Sequence, residues 1–183
     1  MGPGAWPRAN RVWLNTTAGY LVTTAAYDGF GNRTSATTPL GDSTDVLYDA
    51  TYHVFPIETR DPLYIAGDTR HKTTALWDAV CAAPTENRDL NALPTTQQYD
   101  QLCRPTRTDT PGGGFAIVSY NNIGTPTTQY VETQTPPADG SGNIWARTYL
   151  DGYGRTWETL NKSPATGQHI RVDADRQISN LIF

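Results

Sequence analysis

Short runs rich in threonine, valine, isoleucine and tyrosine recur along this chain, and turn-forming residues separate them. Examples are the run from Tyr20 to Tyr27 and the run from Phe115 to Tyr120. Such runs, bounded by Gly, Pro, Asn and Asp, are typical of β-strands joined by tight turns. The best helical candidate is the stretch from Thr73 to Ala83, but its β-branched threonines favour a strand there as well. The pattern therefore predicts an all-β protein.

A tyrosine–aspartate pair, or a variant of it, recurs where these runs end. The aspartate positions, with Asn121 included, are separated by 21, 29, 22, 21, 30 and 22 residues. A near-constant period is the sequence signature of a repeat architecture, and the two longer spacings fit loop insertions. The copies are Tyr27-Asp28, Tyr48-Asp49, Trp77-Asp78, Tyr99-Asp100, Tyr120-Asn121, Tyr149-Leu150-Asp151 and Val172-Asp173.

Each period has room for two short strands and two turns, which together make one β-hairpin. One turn follows the tyrosine–aspartate pair, and a second turn, such as Thr38 to Gly41 or Asp109 to Gly113, closes the unit. Hairpins in series form an antiparallel meander, and a sheet of about a dozen strands is expected to curve. We expect an irregular or incomplete strand in residues 1–19. Residues 20–183 are expected to form a curved sheet of about six repeats, part of a longer protein.

The charge and the apolar content of the chain exclude some classes of function. Only 17% of the 183 residues are charged and the net charge is -4, so the clustered basic face of a nucleic-acid-binding protein is absent. No apolar stretch approaches the roughly 20 residues that cross a membrane as a helix. Residues 1–7 have neither the basic region nor the apolar region of a secretory signal peptide. The sequence thus predicts no nucleic-acid partner and no membrane span.

The order and register of the motifs resemble the YD-repeat, or rearrangement-hotspot (Rhs), family. Within that family they are most similar to the shell region of the B subunits of bacterial insecticidal toxin complexes and their virulence-plasmid relatives. The segments that carry the resemblance are Tyr27-Asp28-Gly29-Phe30-Gly31-Asn32, Leu47-Tyr48-Asp49-Ala50-Thr51-Tyr52 with Phe55-Pro56 and Thr59-Arg60-Asp61, Tyr99-Asp100-Gln101-Leu102-Cys103-Arg104, Asp109-Thr110-Pro111-Gly112, and Arg147-Thr148-Tyr149-Leu150-Asp151-Gly152-Tyr153-Gly154-Arg155.

The resemblance implies a fold, a function and a set of partners. In the family the repeats form a long β-sheet that spirals into a hollow shell around a toxic C-terminal polypeptide. This chain would be a segment of such a shell, secreted as part of a larger toxin. Its expected partners are the remaining repeats of the same or a longer polypeptide, a toxin cargo and toxin-complex subunits.

The repeat residues also have roles that follow from their chemistry. An aspartate at a strand end can accept hydrogen bonds from turn amides, and glycine three positions later permits a positive φ. The arginine that follows is expected to pair with the aspartate of a neighbouring repeat, giving a ladder of surface ion pairs. The aromatic residues near the turns are expected to pack between repeats. The residues in this structural set are Tyr27, Asp28, Gly31, Arg33, Tyr48, Asp49, Trp77, Asp78, Tyr99, Asp100, Arg104, Tyr149, Asp151, Gly154 and Arg155.

Cys81 and Cys103 are the only two cysteines, and each follows a motif aspartate by three positions. Equivalent positions in successive hairpins lie two strands apart, about 9–10 Å at about 4.8 Å per strand. A disulfide requires Cα atoms within about 7 Å of each other. The hairpin register therefore predicts two free thiols.

The other polar residues form no recognised catalytic or metal-binding pattern. His53, His71 and His169 are scattered, without the spacing of a metal site. Asp173 and Asp175 could face one side of a strand as a calcium-ligand pair or half of an acid–base dyad, but a degenerate turn of the last repeat is the simpler interpretation. The glycine run after Pro111 lacks the Lys-Ser/Thr of a phosphate loop and predicts a hairpin turn. We expect no cofactor, no metal and no enzyme activity.

Two functions of different classes are open at this point. The first is structural: a wall segment that encloses a toxic polypeptide until its release. The second is a secreted or cell-surface module that binds glycans or proteins through exposed aromatic residues. The tryptophans available for binding are Trp6, Trp13, Trp145 and Trp157, although the last two flank a repeat motif and have packing as a simpler role.

Overall fold

The computed structural model of the protein describes residues 8–14, 19–137, 142–164 and 167–173. These residues form 14 β-strands and one short helix, and the strands follow one another in the sheet in the order of the sequence. The described pairings between neighbouring strands are antiparallel, and the sheet is not closed. The predicted all-β meander of repeated hairpins is confirmed.

The chain divides into two units, residues 1–95 and residues 96–183. In the first unit, β1 pairs with β2 along its whole length, from Arg8 opposite Ala25 to Leu14 opposite Gly19. The stretch from Thr73 to Ala83, which offered the best helical candidate, is strand as far as Asp78, and the loop between this strand and the next follows. The strands are β1 (Arg8–Leu14), β2 (Gly19–Tyr27), β3 (Arg33–Thr37), β4 (Ser43–Tyr48), β5 (Pro56–Arg60), β6 (Lys72–Asp78) and β7 (Ala83–Arg88).

The second unit continues the same pattern of hairpins. Its first strand begins two residues before the boundary between the units. The strands are β8 (Pro94–Tyr99), β9 (Pro105–Asp109), β10 (Phe115–Asn121), β11 (Tyr130–Thr135), β12 (Ile144–Leu150), β13 (Thr156–Lys162) and β14 (His169–Asp173).

Five hairpins share an irregularity next to the motif aspartate. In the β2–β3 hairpin, Ala26 pairs with Ser35 but Tyr27 pairs with Arg33, so that Thr34 is left unpaired. A β-bulge of this kind increases the local twist and redirects side chains. The same one-residue slip occurs in the β4–β5, β6–β7, β8–β9 and β12–β13 hairpins. The β10–β11 hairpin, which carries Asn121 in place of aspartate, pairs without a slip.

A short helix, α1 (Pro62–Ile65), lies in the first of the two long spacings. Asp61 is its N-cap, and the carboxylate accepts hydrogen bonds from the amides of Leu63 at 2.9 Å and Tyr64 at 3.1 Å. Aspartate at the N-cap followed by proline is a helix-start signal. Four residues are too few to show a helical period in the sequence.

The sheet has no hydrophobic core within the described residues. No hydrophobic side chain there is buried, and the only buried residues are Gln129 and Glu158, each 8% exposed. A single sheet layer leaves both of its faces open, whereas most domains bury one face against a second layer. The two faces and the turns are therefore the places where function must be sought.

Candidate functional site: the aspartate turns and the two faces of the sheet

The turn after the motif aspartate has one repeated geometry. In the turn of Asp28, one carboxylate oxygen accepts hydrogen bonds from the amides of Phe30 and Asn32, both at 2.9 Å. The main chain closes the loop, because the Asp28 amide donates to the Asn32 carbonyl at 2.9 Å and the Gly31 amide donates to the Asp28 carbonyl at 3.2 Å. This is a three-residue hairpin loop whose last residue, Gly31, has a φ of 90°.

The turns of Asp100 and Asp151 repeat these bonds. The Asp100 carboxylate accepts from the amides of Leu102 and Arg104 at 2.9 and 3.0 Å, and Asp151 accepts from Tyr153 and Arg155 at 2.9 Å each. The residue three positions after the aspartate has a positive φ in both, 60° at Cys103 and 77° at Gly154. The predicted positive φ at this position is confirmed in these three-residue loops.

Two motif turns are longer and use the aspartate differently. Asp49 accepts hydrogen bonds from four amides, those of Thr51, Tyr52, Val54 and Phe55. Asp78 accepts from Val80 at 2.8 Å and Cys81 at 3.0 Å, and the positive φ shifts by one residue to Ala82, at 50°. Aspartate therefore organises each loop, whatever its length.

The same bonds stabilise the charged form of the aspartates. Partial desolvation would raise the pKa of Asp49, but the four amide hydrogen bonds outweigh it and lower the pKa to about 2. Desolvation would also raise the pKa of Asp28, but hydrogen bonds from Asn32, Phe30 and Gly31 outweigh it. The pKa of Asp28 is therefore below its usual value as well. For Asp100 the side-chain bond from Arg104 is the largest cause of a lowered pKa. These carboxylates are structural anions and are not positioned to exchange protons near neutral pH.

The prediction that motif arginines pair with the aspartate of a neighbouring repeat is wrong for Arg104 and Arg155. Arg104 pairs with Asp100 of its own turn at 2.6 Å, and Arg155 pairs with its own Asp151 at 2.7 Å. Since the two partners flank one three-residue loop, the ion pair forms with little loss of chain entropy. Arg104 still contacts the next hairpin, because its guanidinium lies 4.0 Å from the ring centroid of Tyr120.

Aromatic side chains link successive hairpins through main-chain carbonyls. The Tyr48 hydroxyl donates to the carbonyl of Arg33 at 3.4 Å, the Trp77 indole nitrogen donates to Pro56 at 2.9 Å, and the Tyr120 hydroxyl donates to Pro105 at 3.2 Å. Each acceptor is the first residue of the strand that follows the preceding motif turn. The geometry gives the motif aromatic a specific role, which is to fasten one hairpin to the turn before it.

Of the remaining motif aromatics, Tyr27 and Tyr149 contact neighbouring strands, whereas the described bond of Tyr99 stays within its own strand. The Tyr27 ring lies 5.6 Å from the Arg8 guanidinium, and Tyr99 donates a hydrogen bond to the Gln97 side chain at 2.6 Å. Tyr149 lies 5.1 Å from Tyr130 and 5.6 Å from Trp157 between ring centroids. Aromatic pairs at these distances stabilise a sheet beyond the area they bury.

Neither cysteine is a free thiol: Cys81 and Cys103 are both disulfide-bonded, so the prediction of two free thiols is wrong. The prediction applied the spacing of paired strand residues to residues outside the strands. Cys81 lies in a four-residue loop between β6 and β7, and Cys103 occupies the positive-φ position of a three-residue loop. Residues in turns are not bound by the strand-to-strand spacing, and these two loops differ in shape.

The second unit has two faces of opposite chemistry. Successive strand residues point to opposite faces, and residues paired across strands share a face. One face, here called the charged face, carries three ion pairs, Arg107–Asp109 at 2.6 Å, Arg147–Glu132 at 2.6 Å and Arg171–Glu158 at 2.9 Å. The other face has no charged strand residue from β9 to β14. This neutral face is formed by Thr108, Ala116, Val118, Tyr120, Val131, Thr133, Thr135, Ile144, Ala146, Thr148, Leu150, Thr156, Thr159, Asn161, Ile170 and Val172.

The first unit shows the same separation in β4 to β7. Glu58 pairs with Arg60 at 2.6 Å and with Lys72 at 3.0 Å, and Glu86 pairs with Arg88 at 2.6 Å, all on one face. The opposite face carries uncharged side chains, which are Thr44, Val46, Thr59, Thr73, Ala75 and Asn87. The sequence interpretation missed this separation. Its signal is a pair of charged residues two positions apart in one strand, such as Glu58 and Arg60, because such residues share a face.

The histidines and acidic residues weighed for chemistry have structural partners. His53 stacks on Phe30 with ring centroids 3.9 Å apart, and the Nδ1 atom of His71 lies 2.8 Å from the Asp61 carboxylate. His169 pairs with Lys162 in the β13–β14 ladder. No group of three His, Cys, Asp or Glu residues that could hold a metal ion is found among the described residues. Asp175 and Trp6 lie outside the described residues.

The glycine run after Pro111 forms a hairpin turn, as predicted. The Thr110 amide donates to the Gly114 carbonyl at 2.8 Å, and Gly112 and Gly113 both have positive φ. This turn closes the β9–β10 hairpin on the opposite edge of the sheet from the motif aspartates. No phosphate-binding role is needed to explain it.

Comparison with known proteins gives no assignment. No protein-family model matches this chain, and no curated protein sequence matches it. Among the described residues no helix is long and apolar enough to cross a membrane. The function is therefore argued from the repeated turns and the two faces.

Proposed function

We propose that this chain is a structural, non-enzymatic wall segment of a YD-repeat toxin shell, which encloses a toxic C-terminal polypeptide. The observation that carries the proposal is the repeated link between hairpins. A motif aspartate closes the loop, and in three of the described joints a motif aromatic of the next hairpin bonds to the strand that leaves that loop. A wall built this way extends by adding identical joints, as repeat proteins do.

The absence of a hydrophobic core within the described residues supports a wall rather than a free-standing domain. A sheet with one charged face and one neutral face is suited to separate two environments. Strand after strand hydrogen-bonds to its neighbour, as a continuous wall requires. Encapsulation would then keep the cargo from folding or from proteolysis until release.

The first test is to read the coding sequence on both sides of the codons for Met1 and Phe183. An in-frame series of tyrosine–aspartate repeats that ends in an unrelated C-terminal domain is the expected result. Stop codons close to both ends would contradict the encapsulation role. The full-length product should then protect its C-terminal domain from added protease until the wall is denatured.

A second candidate, a surface module that binds glycans or proteins, has one observation in its favour. Trp13 and Tyr20, which pair across β1 and β2, are 50% and 59% exposed with ring centroids 4.9 Å apart. Exposed aromatic pairs can stack on sugar rings. A glycan-array signal that is lost in Trp13→Ala and kept in the control Trp145→Ala would favour this candidate over the wall.

A further inference from the structure

The neutral face of the second unit is a broad surface without a charged strand residue, and only the Arg104 guanidinium, which lies 4.0 Å from the Tyr120 ring centroid, brings a described charge to its edge. One row of residues across the strands is Val118, Thr133 and Ala146. The row beside it is Val131, Thr148 and Thr159. Ile170 and Val172 at its border are 47% and 42% exposed. Contiguous apolar surface on a soluble protein marks a contact site, and this face combines valine, alanine and isoleucine with threonine.

We propose that this neutral face docks against the same face of a second copy of the chain, so that two sheets form a two-layer sandwich. A covering surface must itself be uncharged, because a charge buried against the neutral face would find no partner there. The neutral face of a second copy meets that condition at every position. In a dimer with a two-fold axis, the same patch of each copy contacts the other, so one self-complementary surface is enough.

The shape of the neutral face also fits a second sheet. Its side chains are mostly threonine, valine and alanine, which form a low, even surface. Two sheets pack face to face about 10 Å apart when their side chains interdigitate. The recess left by a small residue such as Ala146 can accept a larger residue such as Val118 or Val131 of the other copy.

The area of the neutral face reaches the lower limit for a specific contact. Six strands spaced about 4.8 Å apart are about 29 Å wide, and five residues at about 3.4 Å rise extend about 17 Å along the strands. The projected area is thus about 490 Å² per copy, or about 1,000 Å² for the pair. Specific interfaces bury at least about 1,000 Å², and side chains that stand out from the sheet add to the projected value.

The test is the mass of the 183-residue chain in solution, measured by light scattering and sedimentation between about 1 and 100 μM. The expected mass is twice 20.1 kDa at high concentration. Because both cysteines are disulfide-bonded, a non-reducing denaturing gel must show monomer, which excludes a covalent dimer.

Adjacent residues of β13 supply a matched pair of variants. Thr159 lies on the neutral face, whereas Leu160 lies on the charged face opposite Arg147 and Arg171. Thr159→Glu places a charge from each copy in the contact and should weaken the dimer at least about tenfold. Leu160→Glu should leave the dimer unchanged. Val131→Glu is a second neutral-face variant and should repeat the effect of Thr159→Glu, with circular dichroism confirming that all variants retain their β-sheet.

Three results would overturn the proposal. A wild-type chain that remains monomeric at 100 μM would mean that the face does not associate with itself. A dimer that withstands both Thr159→Glu and Val131→Glu would place the contact elsewhere, for example at an unpaired edge strand. An equal loss in Leu160→Glu would show that the loss is not specific to the neutral face.

Discussion

The indole nitrogen of Trp77 donates a hydrogen bond to the main-chain carbonyl of Pro56 at 2.9 Å, although 21 residues separate the two. The separation equals one short repeat of the tyrosine–aspartate motif. Trp77 also stacks on Phe55, with ring centroids 5.2 Å apart. One side chain therefore fastens the end of β6 to the start of β5, and the same relationship holds for Tyr48 with Arg33 and for Tyr120 with Pro105.

Removing one of these links should destabilise the sheet by a small, measurable amount. Tyr120→Phe deletes only the hydroxyl that donates to the Pro105 carbonyl, so the expected loss is about 0.5–1.5 kcal/mol of the free energy of unfolding. Urea denaturation followed by fluorescence measures it. Tyr153→Phe is the control, because Tyr153 is 88% exposed and should lose nothing. Equal stabilities of the two variants would contradict the fastening role.

The glycine of the three-residue loop should be required for its backbone conformation alone. Gly31 has a φ of 90° with no atom close enough to clash with an added methyl group. Gly31→Ala should therefore cost about 1–2 kcal/mol through backbone strain. Gly29→Ala, in the same loop and equally open, should be neutral or stabilise by up to about 1 kcal/mol. Thermal unfolding of the two variants compares them directly, and a similar effect at both positions would mean that strain is not the cause.

The aspartate turns should weaken in acid. The pKa of Asp49 is about 2 in the folded protein and the ordinary value is 3.8, so the carboxylate stabilises the fold above about pH 4. As the pH falls from about 4 to about 2, that stabilisation is lost. Asp49→Asn should lower the unfolding temperature at neutral pH and reduce its decline between pH 4 and pH 2. The exposed Asp42 offers a control, and an Asp42→Asn variant that flattens the acid response as much as Asp49→Asn would disprove the assignment.

The two cysteines should be inaccessible to thiol reagents. We expect no reaction with Ellman's reagent in denatured, unreduced protein, and two thiols per chain after reduction, because both cysteines are disulfide-bonded. The control is Cys81→Ser, which should expose one thiol at Cys103 without reduction. Two thiols in unreduced wild-type protein would contradict the structure.

The strands and the short loops could be predicted from the sequence because they depend on local chemistry. The run from Tyr20 to Tyr27 lies within β2, and the positive φ of Gly31 and Gly154 follows from the position of glycine after aspartate. Both depend on neighbours within a few residues. The all-β meander then follows from the period of the motif.

Features that depend on distant residues could not be predicted in this way. The partner of Arg104 is its own Asp100, a choice set by loop geometry that spacing alone does not reveal. The disulfide-bonded state of Cys81 depends on the shape of its loop. The acceptors of the aromatic links are main-chain carbonyls, which leave no mark in the sequence, so that Tyr48 and Trp77 show their role only in three dimensions.

Every described link from an aromatic hydroxyl or indole to the preceding hairpin ends on a main-chain carbonyl, a group that all amino acids possess. The aspartate loops, for their part, bond mainly within themselves. The hydrogen bonds of the joint therefore need no matched pair of side chains, and only the ring contacts, such as Phe30 with His53, depend on both partners. A gene that encodes such a chain can gain or lose a hairpin by unequal recombination without a compensating mutation in the next one. The number of hairpins is then free to drift in evolution while the joint between them stays the same.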